Sequence, residues 1–533
     1  MQPHSHQKPA VSVVVIGYND EDHITQAVRS ALAQGPAVRE VVAVDDCSTD
    51  GTFDLLGGLA AGDDRVRVIR RDTNSGGCGS PRNTGIDAVT SPYVMFLDSD
   101  DVLPPGAADA LLAAAREEDA EVVSGLCVRR ELPSGREVAW QEELYAETAV
   151  LDRPARQPRL VHDTLCVNKL YRTDFLREHA IRFPEGRFRY EDFVFTARVL
   201  AAGPRMALVP DRVYVWHVRR SAEQLSISLD RAGIDNWRAR AEASRQAYEI
   251  LLNSGHKELA RAARAKFLDH ELRMYARELG LRDAEYRRAW WTHTREFLGE
   301  YDAADWTTGP TAPGRLLARV ILASPEPRDL PRLRELAARP TRLCPPYARD
   351  AQGTPVWATD LPQVTLEPFL TRPAHQLPLA VDAELRPRAR ATVLRLRLHE
   401  MYGRVAEAGP VAVEVEWRHR EQGRARRQGT VALRAAGEDL WSAETAVDLA
   451  ALGAGTWDLR LRLRFADGTT RETTAHARTG AGLLRRGVVP SLLHGVLLVQ
   501  PYATHSGTLA LRLATGLRGV TSVLRGRLRR LLR

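Results

Sequence analysis

The sequence predicts an α/β domain with a doubly wound parallel sheet, followed by a helical segment and an antiparallel β-sandwich. Three observations carry that prediction. β-branched apolar runs alternate four times with segments of helical period within about 110 residues, the pattern of repeated βαβ units. From 235 to 330 the chain is rich in arginine and alanine with apolar residues at helical spacing. Beyond 360 the apolar period shifts to two, as in half-exposed antiparallel strands. At roughly 150 residues per domain, 533 residues make about three domains, placed at 9–230, 235–330 and 355–515, with a basic tail at 517–533.

Residues 11–19, VSVVVIGYN, read as a buried strand. Asp22 is placed to cap the helix ITQAVRSALAQ, which Gly35 and Pro36 end. REVVAVDD is a second strand and TFDLLGGLAA its helix; VRVIRR is a third strand and SPRNTGIDAV opens a third helix. YVMFLDSDD is a fourth strand ending in carboxylates, with ALLAAAREEDA as its helix. Right-handed crossovers make such a sheet parallel, and its ligands bind beyond the carboxyl ends of the strands. Asp45, Asp46, Asp98 and Asp100 fall at such ends. EVVSGLCVRR and MALVPDRVYVWHV are less regular strands, and YEDFVFTARVLAAG is a helix. Pro-rich punctuation from 325 to 356 marks a linker, and GVLLVQPYATHSGTLALRLA reads as the closing hairpin of the β domain.

Composition excludes several classes. A hydrophobic share of 44% and a charged share of 27% exclude pervasive disorder. No run reaches the ~18 apolar residues of a membrane span. The first ten residues, MQPHSHQKPA, carry no apolar signal region, so a cytoplasmic protein is expected. Five cysteines without a CxxC spacing argue against a disulfide framework or a zinc ribbon. The net charge of +7 points to an acidic partner, but no aromatic interleaving or motif points to nucleic acid. In the tail, Leu517, Val520, Val523, Leu524, Leu528, Leu531 and Leu532 fall largely on one helical face among arginines. That face fits either an anionic membrane surface or packing on the chain's own sandwich.

Four clusters carry chemistry. VDDCSTDGT at 44–52 places Asp45 and Asp46 where a base or sugar edge is hydrogen-bonded, or forms an Asx turn and cap. LDSDD at 97–101 concentrates negative charge at one strand end, for which a divalent cation is the natural partner; oxygen ligands favour magnesium or manganese over zinc. RYEDFVF at 189–195 opens a helix with Glu191 and Asp192, either a general base in an apolar mouth or acids complementing a helix N-terminus. VWHVRRSAEQLSIS at 215–228 offers His217 as a further metal ligand, and Arg219 and Arg220 for phosphate oxygens.

Taken in order, VSVVVIGYN, VDDCSTDGT, NSGGCGSPRNTGI, FLDSDD, NKLYRTDFL and YEDFVF resemble the family 2 glycosyltransferases of GT-A fold, over roughly residues 9–230. The resemblance implies inverting transfer of a hexosyl or N-acetylhexosaminyl group from a nucleotide diphosphate sugar, with Mn²⁺ or Mg²⁺. It implies Asp192 as the base with Glu191 in support, and Asp98 and Asp100 as the D-x-D pair, with Asp100 the direct metal ligand. Asp46 would meet a uracil-like base, Arg82 would lie near the diphosphate, and Tyr18 and Ser99 would join the donor side. DDC stands where the family more often has DDG, and a processive synthase's Q-x-x-R-W motif is absent. The helical segment and trailing β domain look like the wall-teichoic-acid glycosyltransferases. That likeness implies a polyol-phosphate or related anionic glycopolymer as acceptor and oligomerisation through the β domain, while the basic tail makes peripheral contact with the inner face of the membrane an expectation. Two alternatives stay open: a lipid-linked saccharide acceptor in capsule or exopolysaccharide synthesis, and a non-catalytic polymer-binding scaffold.

Overall fold

The computed structural model describes residues 10–219, 231–307, 312–386, 392–479, 484, 486–491, 495–504 and 506–515. The basic tail and Arg220 lie outside these residues. The chain divides into two compact units, one of residues up to Phe267 with 301–310, the other of 268–300 and everything from 311 onward.

The first unit is built on a nine-stranded sheet. Its strands are β1 (Val11–Gly17), β2 (Val38–Asp45), β3 (Val66–Arg70), β4 (Tyr93–Asp98), β5 (Val122–Leu132), β6 (Arg136–Ala139), β7 (Ala149–Leu151), β8 (Lys169–Arg172) and β9 (Met206–Arg219). They run in the order β3-β2-β1-β4-β8-β5-β9-β7, with β6 paired to β5. The first four are mutually parallel, as the apolar runs predict, and β1 and β4 are buried almost throughout. The sheet as a whole is mixed. β8 is antiparallel to both β4 and β5, because β5 is laid down one place away from β4 and the chain returns to fill the gap from the opposite direction. The stretch MALVPDRVYVWHV is one continuous strand, parallel to β5 across two irregular registers.

Helices α1 (Ile24–Leu32), α2 (Thr52–Gly62), α3 (Gly79–Ala88), α4 (Ala107–Glu117), α5 (Thr173–Glu178) and α6 (Glu191–Ala201) connect these strands, followed by α7 (Ile234–Asn253) and α8 (Lys257–Lys266). Asp22 does not cap α1. Helix α1 starts at Ile24, where ITQAVRSALAQ begins, with His23 at the cap position, and Asp20 supplies the turn through its carbonyl and its carboxylate on His23 Nδ1. Helix α3 lies hard against β1: a Cβ on Gly85 would sit 2.2 Å from Val14 Cγ1. At the other end of α3, a Cβ on Gly79 would meet the Pro184 carbonyl oxygen at 1.9 Å, and one on Gly77 would meet that of Gly186 at 2.6 Å. The glycines of NSGGCG thus let two loops touch backbone to backbone beside the strand ends. Gly79→Ala is expected to cost about 1–3 kcal/mol in urea unfolding, since rigid backbone has to move. Gly57→Ala, in α2 with nothing near its Cβ, should instead stabilise by about 0.5–1 kcal/mol. Equal midpoints for the two variants would show that the loop contact is loose.

In the second unit the period-two stretches form two antiparallel sheets. Residues 381–386, 392–399 and 440–447 pair in one; 410–419, 425–432, 455–465, 495–503 and 509–515 build the other. Alternate residues turn inward, as Leu394, Leu396 and Leu398 do in one sheet and Val413, Val415 and Trp417 in the other. The closing hairpin is present, with Val499 opposite Leu513. Within 325–356 the chain forms the helix Leu330–Ala337, whose Leu333, Leu336 and Ala337 are buried.

Candidate active site

The strand order turns at β1, and the carboxyl ends of β1, β2 and β4 meet there: Gly17 pairs with Asp45, and Ile16 with Asp98. Tyr18 follows directly, with its ring about half exposed, and Ser99 Cβ is 3.6 Å from where a Gly17 Cβ would stand. Asp45 is fully buried and accepts the N–H of Ser48, three residues on, which ties down the turn after β2. Asp46 is buried too. Its Oδ2 accepts from Ser75 N at 3.0 Å, Ser75 Oγ at 2.8 Å and Asn74 Nδ2 at 3.1 Å, and Arg71 Nε lies 2.8 Å from Oδ1. This carboxylate fixes the NSGGCG loop over the mouth of the site.

The D-x-D end of β4 and the N-terminus of α6 are joined by one side chain. Arg82, 2% exposed, donates through Nη2 to Asp98 Oδ1 at 2.7 Å, and through Nη1 to Glu191 Oε1 at 2.6 Å and Asp192 Oδ1 at 3.2 Å. Its guanidinium stands 5.2 Å from the centre of the Phe183 ring, which stacks on Phe195 at 3.8 Å. The floor under the carboxylates is therefore aromatic. Burial raises both carboxyl groups of the pair. Glu191 is pushed up to about 7 by burial and the Asp192 charge, and Asp192 is raised by burial against the opposing pull of Arg82. The thiol of the buried Cys166 bonds Asp192, and burial pushes that thiol's own pKa up, so it stays protonated as a donor.

Asp100 and Asp101 diverge. Asp101 is buried, accepting Tyr214 Oη at 2.8 Å and His217 N at 2.7 Å, and burial raises its pKa. It ties the end of β4 to β9. Asp100 remains 41% exposed, and partial burial with the neighbouring Asp98 charge pushes it up to about 6. His217 Nδ1 and Arg219 Nη1 converge on the Asp100 carbonyl at 3.1 and 3.0 Å, and Arg219 Nη1 is 3.3 Å from Asp100 Oδ2. Burial lowers His217, which keeps its ring neutral.

Four carboxyl groups (Asp98, Asp100, Glu191 and Asp192) thus face two arginines, Arg82 and Arg219. Among the described residues no three imidazole, thiol or carboxyl groups are gathered to hold a metal by themselves. Two partly exposed carboxylates in excess of local positive charge do fit a magnesium- or manganese-type ion, which is bound through one or two carboxylates together with substrate phosphates.

The sequence reading passed over several residues that shape the site. Tyr214 supports both Asp101 and Asp98 N, and Lys169 of the NKLYR stretch is a buried cation 2.6 Å from Asp163. Asp163 also takes Trp140 Nε1 at 3.0 Å, and Asn168 Nδ2 bonds the Gly125 carbonyl at 2.8 Å. A lysine and an asparagine inside an apolar strand pattern were the available signal, since such groups are buried only with partners.

Comparison with known proteins agrees with this geometry. The model of glycosyl transferase family 2 matches residues 12–180. The succinoglycan biosynthesis protein ExoO of Rhizobium meliloti (strain 1021) is 34% identical over 255 residues, covering 45% of this chain and 70% of ExoO. The poly(ribitol-phosphate) β-N-acetylglucosaminyltransferase TarS of Staphylococcus aureus (strain MW2) is 32% identical over 217 residues, 40% of this chain and 36% of TarS. The crystal structure of S. aureus TarS shares the fold, with a TM-score of 0.53 at 20% identity, over 95% of this chain and 85% of that one. The chain belongs to glycosyltransferase family 2. Among the described residues, no helix is long and apolar enough to cross a membrane.

Proposed function

We propose that this enzyme is an inverting, metal-dependent transferase that moves a sugar from a UDP-sugar to a hydroxyl of an anionic cell-envelope glycopolymer, at the inner face of the membrane. The observation that carries the reading is the Arg82 cluster, which holds the D-x-D carboxylate Asp98 and the Glu191–Asp192 pair in one hydrogen-bonded unit beyond the strand ends. Asp98 and Asp100 would hold Mn²⁺ or Mg²⁺, which when bound neutralises the donor diphosphate. Tyr18 and the Asp46-fixed loop bound the nucleotide side, and Arg219 and Arg220 supply charge for phosphate oxygens. Asp192, raised by burial toward working pH, takes the acceptor hydroxyl proton as that oxygen attacks the anomeric carbon opposite the nucleotide. One base and a single displacement invert the configuration. The likeness to TarS supports a polyol-phosphate acceptor and the net positive charge suits it. The coverage of ExoO favours a second reading, a lipid-linked saccharide in exopolysaccharide synthesis.

The test is UDP release from a panel of UDP- and other nucleotide sugars with Mn²⁺, then transfer to poly(ribitol phosphate) or to lipid-linked saccharides. Slow release from one donor is expected, abolished by EDTA and by Asp100→Ala. Turnover that survives both would remove the metal from the reading. If no donor binds or turns over with any metal, the chain is a polymer-binding scaffold.

A further inference from the structure

Helix α6 begins immediately after Tyr190, a bulky residue held at φ 63° and ψ 35°, in the left-handed region. A non-glycine residue stays there only where its surroundings over-determine it. Those surroundings come from α7 and α8. The Tyr190 hydroxyl donates to Oδ1 of the fully buried Asn236 at 2.6 Å. The Arg240 guanidinium lies 4.1 Å from the centre of the Tyr190 ring and 5.5 Å from that of Phe193, and Lys266 Nζ is 3.9 Å from the Phe193 ring centre. Tyr190 and Phe193 flank the Glu191–Asp192 dipeptide on either side. Their rings are thus held by a hydrogen bond and by two cations, contacts that are directional where ordinary helix packing is not.

We propose that α7, which lies beyond the residues matched by the family model, is part of the catalytic apparatus: Tyr190, Asn236 and Arg240 are positioning residues that set the first turn of α6 and so aim Asp192 at the acceptor hydroxyl. The inference rests on Asp192 being the base. Arg82 fixes the carboxylates by their side chains, and α7 fixes the same dipeptide by its backbone. A small displacement of that backbone moves the base relative to the acceptor without touching the nucleotide pocket, so its loss falls on kcat and not on donor binding.

The test uses the full chain, with the UDP-sugar identified by the donor panel for turnover and UDP with Mn²⁺ as the binding probe. Tyr190→Phe and Asn236→Ala are each expected to lower kcat roughly tenfold, with the UDP Kd within about twofold of wild type. Because they break the same bond, the double variant should be no worse than either single one. Arg240→Ala should lose a similar factor, and Arg240→Lys, which keeps a cation over the rings, should recover most of it. Wild-type kcat in Tyr190→Phe, or a kcat loss matched by equal weakening of UDP, overturns the proposal and leaves helix packing. Should Asn236→Ala fail to fold, Tyr190→Phe, which keeps the ring, decides alone. Asp192→Asn run in parallel separates the two readings: if it retains turnover, the base assignment has failed; if it loses turnover while Tyr190→Phe does not, only the clamp has.

Discussion

Asp192→Asn is expected to lower kcat by about 10²–10⁴-fold, the range for loss of a positioned general base, while donor KM stays within about twofold. The amide is nearly isosteric and can still meet Arg82 through its oxygen, so the cluster persists and only the proton acceptor is lost. Glu191→Gln should cost less, because Glu191 shares Arg82 with the base and supports it. The wild-type rate should also have an acid limb. Burial raises both carboxyl groups above their ordinary range, Glu191 to about 7, and the reaction needs the ionised form. Activity is therefore present above that region and lost as pH falls through it. A flat rate between pH 5 and 8, or turnover within tenfold of wild type in Asp192→Asn, would take the base role away from this residue.

Arg82→Met is expected to lower stability by about 3–5 kcal/mol at neutral pH, the usual cost of removing one partner from a buried ionic cluster. The lower end applies, because Asp98 keeps 33% of its side-chain surface in water and is partly screened. Without the guanidinium, Asp98, Glu191 and Asp192 face one another with no common counter-charge. The Glu191 and Asp192 pKa values then rise beyond those of the wild type, and the deficit against wild type grows as pH rises through the wild-type values, about 7 for Glu191. The variant should therefore sit closer to wild type in urea melts at pH 5 than at pH 8. Arg82→Lys keeps the charge on one point that cannot fork to three carboxylates, so an intermediate loss is expected. A pH-independent deficit in Arg82→Met would mean that the side chain contributes packing over Phe183 and not charge.

Much of this was legible along the chain. Strand runs of β-branched residues, helical spacing in ITQAVRSALAQ, the amphipathic start of YEDFVFTARVLAAG, and period two in the second half are local signals, and the elements formed where these signals stood. The carboxylates at 45–46, 98–101 and 191–192 were visible because strand ends and a helix start can be read within a few residues. Asp22 does not cap α1, since the cap position falls on the next residue, His23, and it is Asp20 that bonds the turn there.

What stayed hidden lies across long separations. Arg82 is 16 residues from Asp98 and 109 from Glu191, so nothing near it in sequence shows that its guanidinium binds the carboxylates that read as metal ligand and base. The antiparallel course of β8 depends on which gap in the sheet was left open by β5. The clamp on Tyr190 comes from Asn236, 46 residues further on, and Tyr190 itself looks like any aromatic before a helix. By itself the sequence determined the α/β and β parts of the chain and the acids at the strand ends, because backbone preference and apolar period act over a few residues. Tertiary structure alone decided which charges neutralise one another and what holds the Glu191–Asp192 pair, because electrostatic and hydrogen-bond partners are set by distance in space.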